Sequence, residues 1–231
     1  MRKVIYFLLA IFGLFGLLGS GQIFFRISFQ LFNRTIVQYY WFWLGLVAYL
    51  AIFLLFRKIN LIYIFGHELA HATAGIFFGA SLKKFRVSKN RGEVVLDKKN
   101  LFIALAPYFL PVYTLMVLAG FKLWHYFRPE IAAGYGNVFL FLLGLTLSFH
   151  LLHTLAIIPS KQSDWNYAGY FFSVIFIGLA NIFVIILIMK VLFPAAVPFR
   201  TFLEKSAQET LAIIKFTLRQ GRQVWSWLSV K

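Results

Sequence analysis

His67-Glu68-Leu69-Ala70-His71 puts two imidazoles and a carboxylate into one short stretch. On a helix, residues i and i+4 share a face, so both histidines point at one spot. Glu68 stands about 100° round the helix from His67, close enough to touch a water held at that spot. Two imidazoles can hold a divalent metal, and an adjacent carboxylate can take a proton from its water. This is the H-E-x-x-H arrangement of zinc hydrolases, with two histidine ligands and Glu68 as general base. No other acid, base or histidine lies in the apolar run Ile59–Phe78 around it. Polar groups in such surroundings are costly without a partner, which favours a functional reading.

The elements that must position this motif are membrane elements. The chain is 61% apolar and 20% aromatic with only 13% charged residues, and its mean hydropathy is +0.80. Soluble domains are about half apolar and about a quarter charged. The composition therefore predicts an all-α integral membrane protein. There is no cysteine, so disulfides and thiolate metal sites are excluded and any metal must use histidine and carboxylates. The net charge of +16 sits mostly at the ends of apolar runs and in a basic tail. That placement points to anionic lipid headgroups as partner rather than nucleic acid.

Apolar runs long enough to cross a bilayer recur at Val4–Phe25, Val37–Phe56, Ile59–Phe78, Leu101–Leu123, Val138–Ile158 and Trp165–Leu187, predicting about six transmembrane helices. The first follows Met1-Arg2-Lys3 and exceeds a typical signal-peptide core, so it reads as an uncleaved helix. Leu82–Asn100 carries seven Lys or Arg. Within it, Phe85-Arg86-Val87 and Glu93-Val94-Val95-Leu96 flank an Asn90-Arg91-Gly92 turn, predicting a small β-hairpin at the membrane surface. With the tail left out, the Lys and Arg balance places this hairpin on the cytoplasmic side. Pro107 and Pro111 predict a kink or opening in the fourth span. His150 and His153 lie one turn apart in the fifth, which ends at Pro159 before the polar segment 160–164.

After Pro198 the pattern changes. Leu203, Ala207, Leu211, Ile214, Leu218, Gly221, Trp225 and Leu228 recur at helical spacing, with Lys205, Lys215, Arg219 and Arg222 largely elsewhere on the wheel. This predicts an amphipathic helix in the headgroup region. The domain division is then 1–197 as a polytopic membrane domain and 198–231 as this helix.

Catalytic zinc usually has three protein ligands and a water, so the motif needs one more group. Asp164, His150 and His153 are the candidates, and hydrophobic pattern alone does not choose among them.

The motif helix, with Gly75 and Gly79 four and eight residues after His71, resembles that of the site-2 protease family of intramembrane zinc metalloproteases. The hairpin after it is similar to that family's membrane-associated β-sheet. Pro159 and Asp164 match the family's Pro and its third-ligand Asp five residues later. The resemblance covers roughly residues 59–187. Trp165 stands where a Gly is common, Ala156 where an Asn is expected, and Ala106-Pro107-Tyr108 where Ala-Gly-Pro is frequent. No PDZ-like insertion is evident, so the resemblance is to a compact, divergent member.

What the resemblance implies is one Zn²⁺ per chain on His67, His71 and Asp164, with Glu68 as the base that takes a proton from water. His153 would stand in for the absent Asn as a transition-state donor, and His150 would support the site by hydrogen bonding. The substrate would be another membrane protein, unwound and held along the hairpin, with Val87, Val94 and Val95 as its contacts. A multi-pass protein of a prokaryotic inner membrane is the expected setting. The alternative is a non-proteolytic scaffold or transporter that keeps the same helix bundle.

Overall fold

A computed structural model of the chain describes residues 2–56, 60–89, 91–160 and 162–229. Ile59 at the start of the motif span, Asn90 of the expected turn and Lys161 of the polar segment lie outside the described residues. So do Met1 and the last two residues, and the side chain of Leu228. Nine α-helices and one two-stranded sheet are formed among the described residues. By contact the chain divides into two compact units, Met1–Arg34 with Ala168–Lys231, and Thr35–Tyr167.

The first unit holds α1 (Arg2–Thr35), α8 (Tyr170–Leu192) and α9 (Phe199–Ser229). Both α1 and α8 are long and apolar enough to cross a membrane. Phe7, Phe12 and Phe25 of α1 are exposed, an apolar surface that suits lipid rather than water. The first span was expected to end at Phe25, but α1 runs on to Thr35. α1 runs through Gly19-Ser20-Gly21, where Ser20 Oγ donates back to the Gly16 carbonyl (2.6 Å). The expected amphipathic helix forms as α9. From Lys215 to Ser229 every described side chain is exposed, including Trp225 and Trp227.

The second unit carries the motif. Its helices are α2 (Tyr40–Leu55), α3 (Asn60–Phe77), α4 (Leu101–Phe109), α5 (Val112–Phe127), α6 (Pro129–Gly134) and α7 (Gly136–Ile157). α7 is the third helix long and apolar enough to cross a membrane, and α4 with α5 makes a fourth if read as one broken span. Of the six expected spans, α2 is only 16 residues, about 24 Å, against a hydrocarbon core of about 30 Å. α3 is diluted in apolarity by the motif itself. α2 and α7 cross closely at Gly45 and Gly144, where a Cβ on either would overlap the other helix's backbone. Small residues at a crossing are the usual device for packing helices in lipid.

Two boundaries differ from the sequence expectation. The span expected at Leu101–Leu123 is two helices bent by 77°, because Pro111 has no N–H to continue α4. The span expected from Trp165 begins instead at Tyr170. Residues Ser163–Tyr167 form a 3-10 turn, and Gly169 takes a positive φ of 88° before α8 starts. Trp165 is buried against Tyr108.

α3 ends in a Schellman motif. Gly79 sits at φ 69°, Ala80 N–H bonds the Gly75 carbonyl (2.8 Å) and Gly79 N–H bonds that of Ile76 (3.0 Å). The chain is thereby turned straight into β1 (Leu82–Val87), which pairs antiparallel with β2 (Gly92–Leu96). Gly92, expected in the turn, belongs to β2 and pairs with Val87, and a bulge falls between Leu82 and Lys84. Lys84 bridges Glu93 (2.7 Å). The hairpin's base is tied to the end of α3: Ser81 N–H donates to Asp97 Oδ1 (2.8 Å) and Lys98 Nζ to the Gly79 carbonyl (2.7 Å).

Candidate metal centre

α3 and α4 meet through alanines. Ala70, Ala74 and Ala106 form a buried cluster with Ile103 and Val112, and their small side chains let the two backbones come close. Asn100 caps α4, its Oδ1 accepting the Ile103 N–H (2.8 Å). The result is that α4 presents backbone, not a bulky side chain, to the motif. His71 Nδ1 donates to the Ile103 carbonyl at 2.8 Å. A carbonyl only accepts, so Nδ1 carries the hydrogen, and in the neutral imidazole Nε2 keeps its lone pair.

Asp164 arrives on the 3-10 turn that follows α7. Its Oδ2 lies 3.5 Å from His67 Nε2 and 3.6 Å from His71 Nε2, and it accepts a hydrogen bond from Tyr108 Oη (2.9 Å). One ligand atom from each of His67, His71 and Asp164 falls within 4.8 Å of the others. Ligands at 2.0–2.1 Å round a tetrahedral zinc are about 3.3 Å apart, so the spacing suits that ion. The chemistry suits it too. With neutral His71 protonated on Nδ1, Nε2 faces the carboxylate as acceptor against acceptor, and a cation between them turns that repulsion into coordination. Neither His150 nor His153 belongs to this cluster.

Glu68 is partly buried and packs against the backbone of Gly92, where any Cβ would overlap its Cγ and carboxylate. Two turns on, a Cβ at Gly75 would fall 2.7 Å from Leu96 Cδ1. β2 therefore lies along α3, seated at both ends by glycine. A cavity of about 260 Å³ opens beside it, lined by His71, Asp164, Val94, Val95, Ile103 and Ala104, with Lys98 and Lys99 also on its wall. Val87, paired with Gly92 at the other end of the ladder, does not line it.

His153 Nε2 bonds Tyr49 Oη of α2 at 2.9 Å. Its ring stacks on Tyr63 (5.0 Å) and meets Phe149 and Phe53. His150 is buried, and both line a cavity of only about 20 Å³ together with His67 and Pro107. His67 Nδ1 is buried and has no hydrogen-bond partner among the described residues.

Two groups at the site were missed by reading the sequence: the Tyr108 hydroxyl and the Ile103 carbonyl. Both belong to the segment noted there for its prolines and for Ala106-Pro107-Tyr108 in place of Ala-Gly-Pro. In the hairpin, Lys84 holds the Glu93 carboxyl below the usual carboxylate range, and the Ser81 N–H does the same for Asp97.

Comparison with known protein families, curated proteins and solved structures finds no match for this chain.

Proposed function

We propose that this chain is an intramembrane zinc metalloprotease that cuts membrane-protein substrates, in a multi-pass setting such as a prokaryotic inner membrane. The observation that carries the reading is the approach of one ligand atom each from His67, His71 and Asp164 to within 4.8 Å, next to the Glu68 of the same motif. His67, His71 and Asp164 would hold the ion. Zinc in such a site lowers the pKa of its water towards neutrality and polarises a carbonyl.

The chain's own residues do the rest. Glu68 takes the proton from the attacking water and returns it to the leaving amine. Tyr108 donates to Asp164 and so leaves its Oδ2 one lone pair for the metal. Among the described residues β2 is paired on one edge only, and Val94 and Val95 border the cavity that holds His71 and Asp164. A substrate segment unwound from its helix would bond to that free edge through its backbone, which asks little of its sequence. The exposed Trp225 and Trp227 of α9, with Lys215, Arg219 and Arg222, suit anionic lipid headgroups.

The test is zinc per chain in detergent-purified protein, wild type beside Asp164→Ala and His67→Ala, coupled to cleavage of a panel of single-span membrane proteins. Near one zinc in the wild type, lost in both variants, with cleavage abolished by Glu68→Gln, is the expected result. Wild type that folds but takes up no zinc overturns it.

A further inference from the structure

We infer that Pro107 is a positioning residue for the metal centre: by lacking an N–H it frees the Ile103 carbonyl to orient His71. The inference rests on the zinc reading above for its function, but its core is a hydrogen bond that exists without metal.

In a helix the carbonyl of residue 103 bonds the N–H of residue 107. α4 spans both positions, and residue 107 is proline, so that bond is not made. An orphaned carbonyl in a buried helix is costly unless something else donates to it. Here the donor is His71 Nδ1, at 2.8 Å. Ile103 and Ala106 are almost fully buried, in the alanine-lined contact of α3 with α4.

One missing N–H thus does two things. It gives the broken helix a way to satisfy its carbonyl, and it sets His71 as the Nδ1–H tautomer with Nε2 aimed at Asp164. Metal-binding histidines are commonly held this way through their other nitrogen, and removing such a partner weakens metal binding about 10- to 100-fold. His67, whose Nδ1 has no partner among the described residues, lacks the device. The proline is therefore not only a kink. Pro111, four residues on, frees the carbonyl of Pro107 instead and leaves Ile103 untouched.

The experiment uses the full-length protein in detergent with zinc and a competing chelator. Pro107→Ala restores the helical N–H, which competes with His71 for the Ile103 carbonyl. Expected is a zinc affinity about 10- to 100-fold weaker than wild type, with helix content and melting unchanged. The same variant built with the α-hydroxy analogue of alanine at position 107 again lacks the N–H, and should regain most of the affinity. Pro107→Ala binding zinc as tightly as wild type, or an ester form no better than the amide, overturns the inference.

A metal-free readout separates this from the protease reading. In ¹⁵N-histidine spectra of the wild type, His71 should show a protonated, slowly exchanging Nδ1 that is lost in Pro107→Ala. A wild-type His71 protonated on Nε2 instead refutes the hydrogen bond whatever the zinc content. Loss of zinc binding in the wild type with this signature intact refutes the metal reading alone.

Discussion

Two pairs of histidines sit in apolar helices of the same unit, and the fold treats them differently. His67 and His71, four residues apart on α3, both aim Nε2 at one carboxylate oxygen. His150 and His153, three apart on α7, border a space of about 20 Å³, and His153 is spent on Tyr49 and a surround of aromatic rings. The chemistry of the side chains is the same. What differs is the neighbour across the helix contact. Opposite the first pair stand alanines, a freed carbonyl and a loop that brings in Asp164. Opposite the second stand rings that fill the space an ion would need. A buried histidine is available as a ligand only where packing leaves it an unshared nitrogen and a second donor nearby.

The comparison breaks most readily on metal content. Asp164→Ala or His71→Ala should take zinc from near one per chain to none, whereas His153→Ala should leave it near one. Plasma emission spectrometry of the purified proteins decides between them, and zinc lost with His153→Ala would erase the distinction. Next in size is Glu68→Gln, which should keep zinc near the wild-type content and lower the cleavage rate by about 10²- to 10⁴-fold, the range for a positioned general base. A similar loss from Glu68→Asn with zinc absent would instead mark Glu68 as part of the binding shell.

Gly92→Ala sharpens what lies against the first pair. The added methyl overlaps Glu68, so the carboxylate or the strand must shift. Displacement of about 1 Å at a reacting group can cost 10²-fold, and steady-state cleavage with unchanged zinc should show a loss approaching that. For the second pair the effect is on stability alone. Tyr49→Phe removes the partner of His153 and should lower unfolding free energy in mixed detergent by about 1 kcal/mol, with zinc affinity unmoved.

The smallest effect is on the hairpin that borders the site. Glu93 and Asp97 are held below the ordinary carboxylate range. Their contribution is complete above that range, about pH 4, and is lost as pH falls through the lowered folded values. Protection of the Ser81 amide from hydrogen exchange, taken relative to its intrinsic rate at each pH, should fall on acidification below about pH 4. The same change should be absent in Asp97→Asn.

Periodicity and composition are local, and what they determine is local too. The pairing of His67 with His71 on one face, the apolar class of the chain, the hairpin after the motif and the amphipathic run after Pro198 all follow from spacing along one segment. So does a break near Pro107 and Pro111, though not that it would split the span into two helices at 77°. Span number was harder to read, since α2 is short and the motif dilutes α3. The partners were beyond reach. That Tyr108 would reach Asp164, that Tyr49 would take His153, and that the carbonyl Pro107 leaves free would fall beside His71 depends on how helices cross. Crossing is set by which small residues meet, Ala70 and Ala74 with Ala106, or Gly45 with Gly144. A side chain's spacing along its helix says where it points, and only the packed neighbour decides what it finds there.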